Sequence, residues 1–307
     1  MTELFFSQHP IAWIIGFTLF GLIIGSFLNV VIFRLPLMLE KQWQEECKWL
    51  LGHQTDLTEL KCPHCYYALK FRNTLSENEI IQSQPINLAT PRSLCPHCGT
   101  TLTWKENIPL LSFLWQKGRC RNCHRPISWQ YPIVELVSTL VACFLAYYFG
   151  FQLKTILLFA FYSITMVLTW IDIRKGLLPD NLTYLLLWLG LLSSLFSIFI
   201  SPAQAIIGAT VGYLSLWSIF WLFKLITHKD SMGHGDFKLA AAIGAWTGWQ
   251  LLIIVILFAA LFGLVAGLIQ IYRGKAQRDT PFAFGPYLAV TGFGVLVCGE
   301  WVLGVVF

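Results

Sequence analysis

The sequence predicts an all-α polytopic membrane protein with about eight transmembrane helices and one small polar domain between the first and second helices. Composition is the first observation, because 56% of the 307 residues are hydrophobic and only 12% are charged, against about 25% in a soluble domain. The second is the distribution of charge, which is concentrated in one long segment and a few short loops between uncharged runs. Together they exclude a soluble globular protein, a disordered chain and a coiled coil.

The uncharged runs define the expected membrane spans, because about 20 apolar residues are needed to cross the hydrocarbon core. They are residues 11–33, 136–153, 155–171, 181–223, 239–272 and 280–299. The first has neither a basic leader nor a small-residue cleavage site, so we expect a retained helix rather than a signal peptide. The next two predict a hairpin interrupted at Lys154, and the fourth is long enough for two helices hinged at Ser201 and Pro202.

The lysine and arginine residues predict the orientation, because short loops rich in them stay in the cytoplasm. Of the 21 basic residues, all but one lie in residues 34–131 or in loops expected on the same side, and the exception is Lys154. This requires residues 239–272 to cross twice, with an interruption around residues 244–248. We therefore expect eight spans with both termini outside the cytoplasm. The expected cytoplasmic loops are residues 172–180, 224–238 and 273–279.

The polar segment, residues 34–131, contains three C-x-x-C pairs, and two of them predict a zinc site. Cys95 with Cys98 and Cys120 with Cys123 supply four sulfurs, and four thiolates hold Zn²⁺ tetrahedrally. Two redox-active dithiols are the less favoured interpretation, because no βαβ pattern surrounds them and the expected compartment is reducing. The small domain is therefore predicted to be a cytoplasmic zinc-binding domain.

The third pair, Cys62 and Cys65, repeats the Pro-His centre of the second pair but has no obvious partner pair. Three interpretations stay open at this stage. The pair binds a second ion with His53 or Cys47, it provides alternative ligands for the first site, or it is an idle partial duplication. We favour the last.

Two aspartates at the ends of predicted spans are the candidate catalytic residues, because a charge beside the hydrocarbon core is costly and marks function. Asp172 ends the third span, and Asp236 closes a Gly-His-Gly-Asp motif before the sixth. Two intervening crossings return the chain to its starting side, so both are expected at the cytoplasmic surface. Such a pair shares one proton, as in aspartyl proteases, but a cation-coupled transporter fits the same residues. Asp180, after Pro179, is expected to cap the fourth helix.

Four segments resemble, in order, motifs of the bacterial type IV prepilin peptidases, which are GxGD-type intramembrane aspartyl proteases. They are residues 25–36, 87–135, 172–180 and 233–236. The resemblance implies an enzyme of the bacterial inner membrane that removes the basic leader from type IV prepilins and type II secretion pseudopilins. It also implies methylation of the new N-terminal residue with S-adenosyl-L-methionine. The implied partners are these substrates and membrane lipids, and no nucleic acid.

The resemblance also implies roles for individual residues. Asp172 and Asp236 match the catalytic aspartates of the family, and the four cysteines named above match its metal ligands. Gly118 matches a glycine that the family links to methylation. Asn29 and Glu135 fall in family motifs, with no role assigned beyond lining the site.

The expected domains follow from these assignments. They are residues 1–33, the first transmembrane helix; residues 34–131, the cysteine-rich zinc-binding domain; and residues 132–307, a seven-helix membrane peptidase domain. Residues 34–93 are longer than the family pattern and contain Cys62 and Cys65. No G-x-G-x-x-G motif follows a strand, so the sequence does not locate the methyl donor.

Overall fold

The computed structural model describes residues 9–50, 87–90, 92–95, 97–103, 105–228, 233–273 and 283–306. Within these ranges the fold is helical, as predicted. The α-helices are α1 (Pro10–Leu50), α2 (Leu111–Trp115), α3 (Gln130–Phe149), α4 (Leu153–Lys175), α5 (Asp180–Leu195), α6 (Pro202–Thr227), α7 (His234–Tyr272) and α8 (Gly285–Val306). One 3₁₀ turn, Lys105–Asn107, precedes α2. Extended pairing among the described residues is limited to two isolated bridges, both beside the cysteine turns.

Two compact units make up the chain. The smaller contains residues 15–143, and the larger contains residues 1–14 and 144–307. The helices long and apolar enough to cross a membrane are α1 as far as Glu46, α3, α4, α6 and α7. In α8 a shorter apolar stretch covers Gly285–Gly299. These helices confirm a multi-pass membrane protein.

The first helix is longer than the apolar run that predicted it. It continues past Phe33 to Leu50 with Pro36 inside it, because the residues that follow are mostly good helix formers such as Leu, Met, Glu, Lys and Gln. The hairpin interruption is also displaced slightly. α4 already begins at Leu153, with Gly150 in the left-handed region at φ 65°, so Lys154 lies in the first turn rather than in the loop.

The hinge predicted at Ser201 and Pro202 is confirmed. α5 ends at Leu195 and α6 begins at Pro202, where Ser201 and Gln204 form a reciprocal capping box. Proline has no N–H, but at the first helical position no hydrogen bond is lost, because an N–H there would have no partner within the helix. This local sequence therefore starts α6 cleanly.

The interruption expected within residues 239–272 lies at Gly248, which has φ 73° and ψ 169° inside α7. A Cβ atom at Gly244 would lie 3.1 Å from Leu252 Cδ2. In a continuous helix these positions would be separated by about 12 Å along the axis, at about 1.5 Å per residue. The chain therefore folds back at Gly248, which agrees with the two predicted crossings of this segment.

Small residues let α6 and α7 pack closely in the larger unit. A Cβ atom at Gly208 would overlap the carbonyl oxygen of Gly244, and one at Gly212 would lie 2.5 Å from the carbonyl oxygen of Ala240. Contacts between small residues are a common basis of helix association in membranes. The order of the contacts makes the helices antiparallel, so α7 begins near the end of α6 with Asp236 in its first turn.

Candidate active site and metal centre

Asp172 and Asp236 lie at helix ends in the larger unit. Asp172 is in the last turn of α4, which stops at Gly176 in the left-handed conformation with φ 63° and ψ 34°. The Gly176 N–H donates to the Asp172 carbonyl oxygen at 2.8 Å, a common way to end a helix. Asp236 follows Gly233, the N-cap of α7. The two aspartates are only 6% and 7% exposed, so both acidic side chains are buried.

Gly285 and Leu178 connect the two helix ends. A Cβ atom at Gly285 would lie 2.6 Å from Asp172 Oδ2 and 3.2 Å from Leu178 Cδ2. Leu178 also contacts Gly235, where an added Cβ would lie 2.8 Å from Leu178 Cβ. Asp172 is close enough for its charge to act on Asp236. The structure therefore places the two selected aspartates in one cluster.

One oxygen of each carboxylate is buried without a hydrogen-bond partner among the described residues: Asp172 Oδ2 and Asp236 Oδ1. The backbone N–H of Gly285 lies near the Asp172 carboxylate, and that of Gly233 lies near the Asp236 carboxylate. Buried polar atoms in native proteins are nearly always paired, so these two oxygens need an explanation. A pair of such oxygens can bind a water molecule or a substrate carbonyl.

Sequence reasoning missed Gly285 and Leu178. The available signal for Gly285 was its position before Pro286 at the start of the last helix, since proline favours the first turn of a helix. Nothing local marks Leu178 as part of the cluster, because its contacts are with residues far along the chain.

The expectation that Asp180 caps α5 is wrong. The N-cap residue is Pro179, and no side-chain cap hydrogen bond is formed. The Asp180 carboxylate instead accepts hydrogen bonds from Lys238 Nζ at 2.7 and 2.8 Å. Asp180 can reach Lys238 because it lies in the first turn of α5, beside the start of α7.

The four predicted zinc ligands come together in the smaller unit. The Sγ atoms of Cys95, Cys98, Cys120 and Cys123 all lie within 4.8 Å of one another. The Sγ atoms of Cys95 and Cys123 are 3.8 Å apart. A tetrahedral site with Zn–S bonds of about 2.3 Å has sulfur–sulfur edges of about 3.8 Å. The donor set therefore fits Zn²⁺.

The two C-x-x-C turns have the same backbone geometry. In each, the N–H of the first cysteine donates to the carbonyl five residues later, and the N–H four residues later donates back, all at 2.9 Å. The residue after each pair is left-handed, with φ 68° at Gly99 and φ 55° at His124. His124 is therefore placed by the turn rather than by a metal.

Hydrogen bonding and burial give thiols of the cysteine cluster different pKa values. Hydrogen bonds from Thr100 lower the pKa of Cys98 to about 6, and backbone N–H groups, first that of Cys123, lower the pKa of Cys120. Burial raises the pKa of Cys95 to about 12. Thiolates bind metal and thiols do not, so a metal that takes Cys95 as its ligand must displace a proton.

The predictions for the third C-x-x-C pair concern residues that the structure does not fully describe. Cys62, Cys65 and His53 lie outside the described residues, and the side chain of Cys47 is not described, so their interpretations stay open.

Gly118 lies at φ 68° beside a cavity of about 580 Å³ in the smaller unit. The lining residues are Trp115, Gln116, Lys117, Arg119, Cys120, Arg121 and His124. Its volume is in the usual range for a ligand pocket, but its charge does not suit the methyl donor. S-adenosyl-L-methionine carries two cationic groups and one carboxylate, whereas the lining includes three cationic side chains and no acidic one.

Asn29 and Glu135 each form a hydrogen bond with a backbone group in the smaller unit. Asn29 Nδ2 donates to the Tyr131 carbonyl at 3.1 Å, and Glu135 Oε2 accepts the Leu110 N–H at 2.9 Å. Leu110 has φ 57°, which is costly for a residue with a side chain. Glu135, which lies on α3, therefore stabilises the backbone of a strained loop.

A polytopic helical protein with a buried carboxylate pair at converging helix ends has the architecture of a membrane aspartic protease. Comparison with known proteins defines the relationship. The family model "Type IV leader peptidase family" matches residues 159–268, and "Bacterial Peptidase A24 N-terminal domain" matches residues 19–149. The chain belongs to the type IV leader peptidase family.

Curated relatives support this assignment over nearly the whole chain. A prepilin leader peptidase/N-methyltransferase of Aeromonas hydrophila is 46% identical over 92% of this chain and 89% of its own length. Proteins of the same name from Pseudomonas aeruginosa and Pectobacterium carotovorum are 41% and 44% identical, each over 96% of this chain and covering 94% and 97% of their own lengths. No solved structure matches the chain.

Proposed function

We propose that this protein is a prepilin leader peptidase and N-methyltransferase in which Asp172 and Asp236 catalyse the cleavage. The observation that carries the proposal is the pair of buried carboxylates, each with one oxygen that has no hydrogen-bond partner in the described part of the chain. The names of the relatives support prepilins as substrates. Nothing in the comparisons supports the transporter alternative.

The two carboxylates perform hydrolysis as one unit. A water molecule between them gives a proton to the ionised aspartate as its oxygen attacks the peptide carbonyl carbon, and the protonated aspartate donates to the carbonyl oxygen. The tetrahedral intermediate then breaks its C–N bond, and a proton passes to the leaving amine. Gly285 packs against Asp172 Oδ2 and limits where this carboxylate can move during these steps.

The position of the pair suits a membrane substrate. Asp172 and Asp236 lie at the ends of apolar helices, where hydrocarbon gives way to headgroups and water. A prepilin is a hydrophobic helix with a basic leader on the cytoplasmic side, so its scissile bond reaches the same boundary. We extend the proposal to pseudopilins of type II secretion, which share this plan, and to the bacterial inner membrane as the location.

The cysteine centre is proposed to hold one structural Zn²⁺. Four thiolates complete a tetrahedral site and leave no position for water or substrate, unlike a catalytic zinc site. Cys95, Cys98, Cys120 and Cys123 would then fix two turns of the chain to each other. The metal takes no part in peptide hydrolysis.

The methyl donor is proposed to be S-adenosyl-L-methionine, which supplies an activated methyl group to the new terminal amine. We assign it no site, because the cavity beside Gly118 fits only its carboxylate. The proposed domains remain residues 1–33, 34–131 and 132–307.

One experiment tests the cleavage and the methylation together. Purified protein is incubated with a prepilin and S-adenosyl-L-methionine, and the product is weighed by mass spectrometry. We expect loss of the leader mass and gain of one methyl group, with neither cleavage nor subsequent methylation in Asp172→Asn and Asp236→Asn. Asp56→Asn, in the polar segment, is the matched control and should behave as the unmodified protein. Full cleavage by a correctly inserted Asp172→Asn protein would overturn the assignment of that residue.

A further inference from the structure

An ion pair between Asp180 and Lys238 joins the start of α5 to the start of α7 in the larger unit. Lys238 Nζ approaches both carboxylate oxygens, at 2.7 and 2.8 Å. The same Nζ lies 5.6 Å from the centroid of the Tyr184 ring, within the range of a cation–π contact. Lys238 therefore has two partners on the first turns of α5.

The pair joins the two segments that carry the aspartates. Asp180 follows Asp172 through the short connection after α4, and Lys238 is two residues after Asp236 on α7. Positions two apart on a helix point in nearly opposite directions, at about 100° per residue. The start of α7 is thus held on one face by the cluster at Asp172 and on the other by Asp180.

This ion pair counteracts the repulsion between the two aspartates of the cluster. Asp172 and Asp236 interact through their charges, and two buried carboxylates repel each other whenever both are ionised. An attractive contact between their own segments opposes that separation. The side chains of Lys238 and Asp180 are 27% and 50% exposed, and ion pairs this exposed add little to overall stability. Their effect is therefore expected on position rather than on folding.

We propose that Asp180 and Lys238 are positioning residues that keep Asp236 at reacting distance from Asp172. The inference rests on the proposed function, since it assumes that the two aspartates perform the cleavage. Neither residue is assigned contact with substrate. Misplacing a catalytic group by about 1 Å costs roughly a hundredfold in rate, so we expect a ten- to hundredfold fall in kcat when the pair is lost.

The test uses the full-length protein in membranes with a prepilin substrate. We expect Asp180→Asn and Lys238→Met each to lower kcat ten- to hundredfold, with KM changed less than about threefold, because substrate contacts are kept. The double variant should be no slower than the worse single variant. The charge-exchanged protein, Asp180→Lys with Lys238→Asp, should recover most of the lost rate. Lys154→Met removes the same charge at the opposite end of α4 and should leave kcat unchanged.

Each outcome has one meaning. Full activity of both single variants beside an inactive Asp172→Asn protein would overturn the positioning role and keep the proposed function. Activity of Asp172→Asn would instead overturn the catalytic assignment of Asp172 in the proposed function, on which the inference rests. Loss of rate without rescue by charge exchange, in protein whose thermal unfolding midpoint is unchanged, would also refute the pair, because a positioning ion pair requires only opposite charges.

Discussion

Gly285 gives the sharpest test of how the aspartate cluster is built. An added Cβ at this position would lie 2.6 Å from Asp172 Oδ2, whereas favourable carbon–oxygen contacts begin near 3.3 Å. In Gly285→Ala the carboxylate or the helix must therefore shift by about 0.7 Å. Leu178 limits the alternatives, since its Cδ2 would lie 3.2 Å from the same Cβ.

The expected size of the effect follows from this displacement. Because a misplacement of about 1 Å costs roughly a hundredfold in rate, a shift of about 0.7 Å should lower kcat between ten- and a hundredfold. This equals about 1.4 to 2.7 kcal/mol added to the activation barrier. KM should change little, because the substitution displaces Asp172 rather than a group that binds the substrate.

The assay is the initial rate of prepilin cleavage by protein in membranes, measured over a range of substrate concentrations. Gly294→Ala is the matched control, since Gly294 is on the same helix, α8, and an added Cβ there meets nothing within 4 Å. Its kcat should be unchanged. A wild-type kcat in Gly285→Ala would refute the placement of Asp172 against this glycine. An equal fall in both variants would show that α8 as a whole, rather than the cluster, is sensitive.

Three further predictions concern the dyad, the metal and the helix packing. We expect equal losses of cleavage in Asp172→Asn, Asp236→Asn and the double variant, because the two carboxylates act as one unit. The unmodified enzyme should show a bell-shaped pH–rate profile that belongs to the pair. Additive losses measured in single-turnover assays would contradict this prediction. Elemental analysis should find one zinc per chain, absent in the Cys95→Ser, Cys120→Ser protein and retained in the control Cys62→Ser, Cys65→Ser protein; the reverse pattern would reassign the ligands. Gly208→Ala should lower the free energy of unfolding in detergent by about 1–3 kcal/mol, the usual cost of overpacking, because its Cβ would overlap the Gly244 carbonyl oxygen. The control Gly16→Ala has open space around the added Cβ and should leave the free energy of unfolding unchanged.

The parts of the fold that sequence predicts are those set by local chemistry. The break at Gly248 was expected because the distribution of basic residues requires residues 239–272 to cross twice, and glycines at 244 and 248 mark the place for an interruption. The start of α6 was expected from Ser201 and Pro202, whose capping geometry depends only on neighbouring residues. The end of α1 was not, because a helix can continue beyond its apolar face wherever the residues that follow also favour helix.

The cysteine cluster and the aspartate cluster differ in the same way. Each C-x-x-C turn is complete within six residues, so the spacing of Cys95 and Cys98 already predicts two converging sulfurs. The surroundings of Asp172 are instead supplied by Leu178, by α7 and by Gly285, more than one hundred residues later in the chain. Sequence could select the two aspartates by the cost of charge at a membrane, but their supports are visible only in three dimensions.

The connection between α4 and α5 shows why Asp180 was misread. A sequence of Gly, two leucines, Pro and Asp predicts a helix stop followed by a capped start, and each local rule is satisfied by Gly176 and Pro179. Those rules leave the Asp180 side chain unassigned once Pro179 takes the N-cap position. It then pairs with Lys238, while Leu178 packs on Gly235. The connection is therefore fixed to the start of α7 by one apolar and one ionic contact, which sets the distance between the helix ends that carry the aspartates.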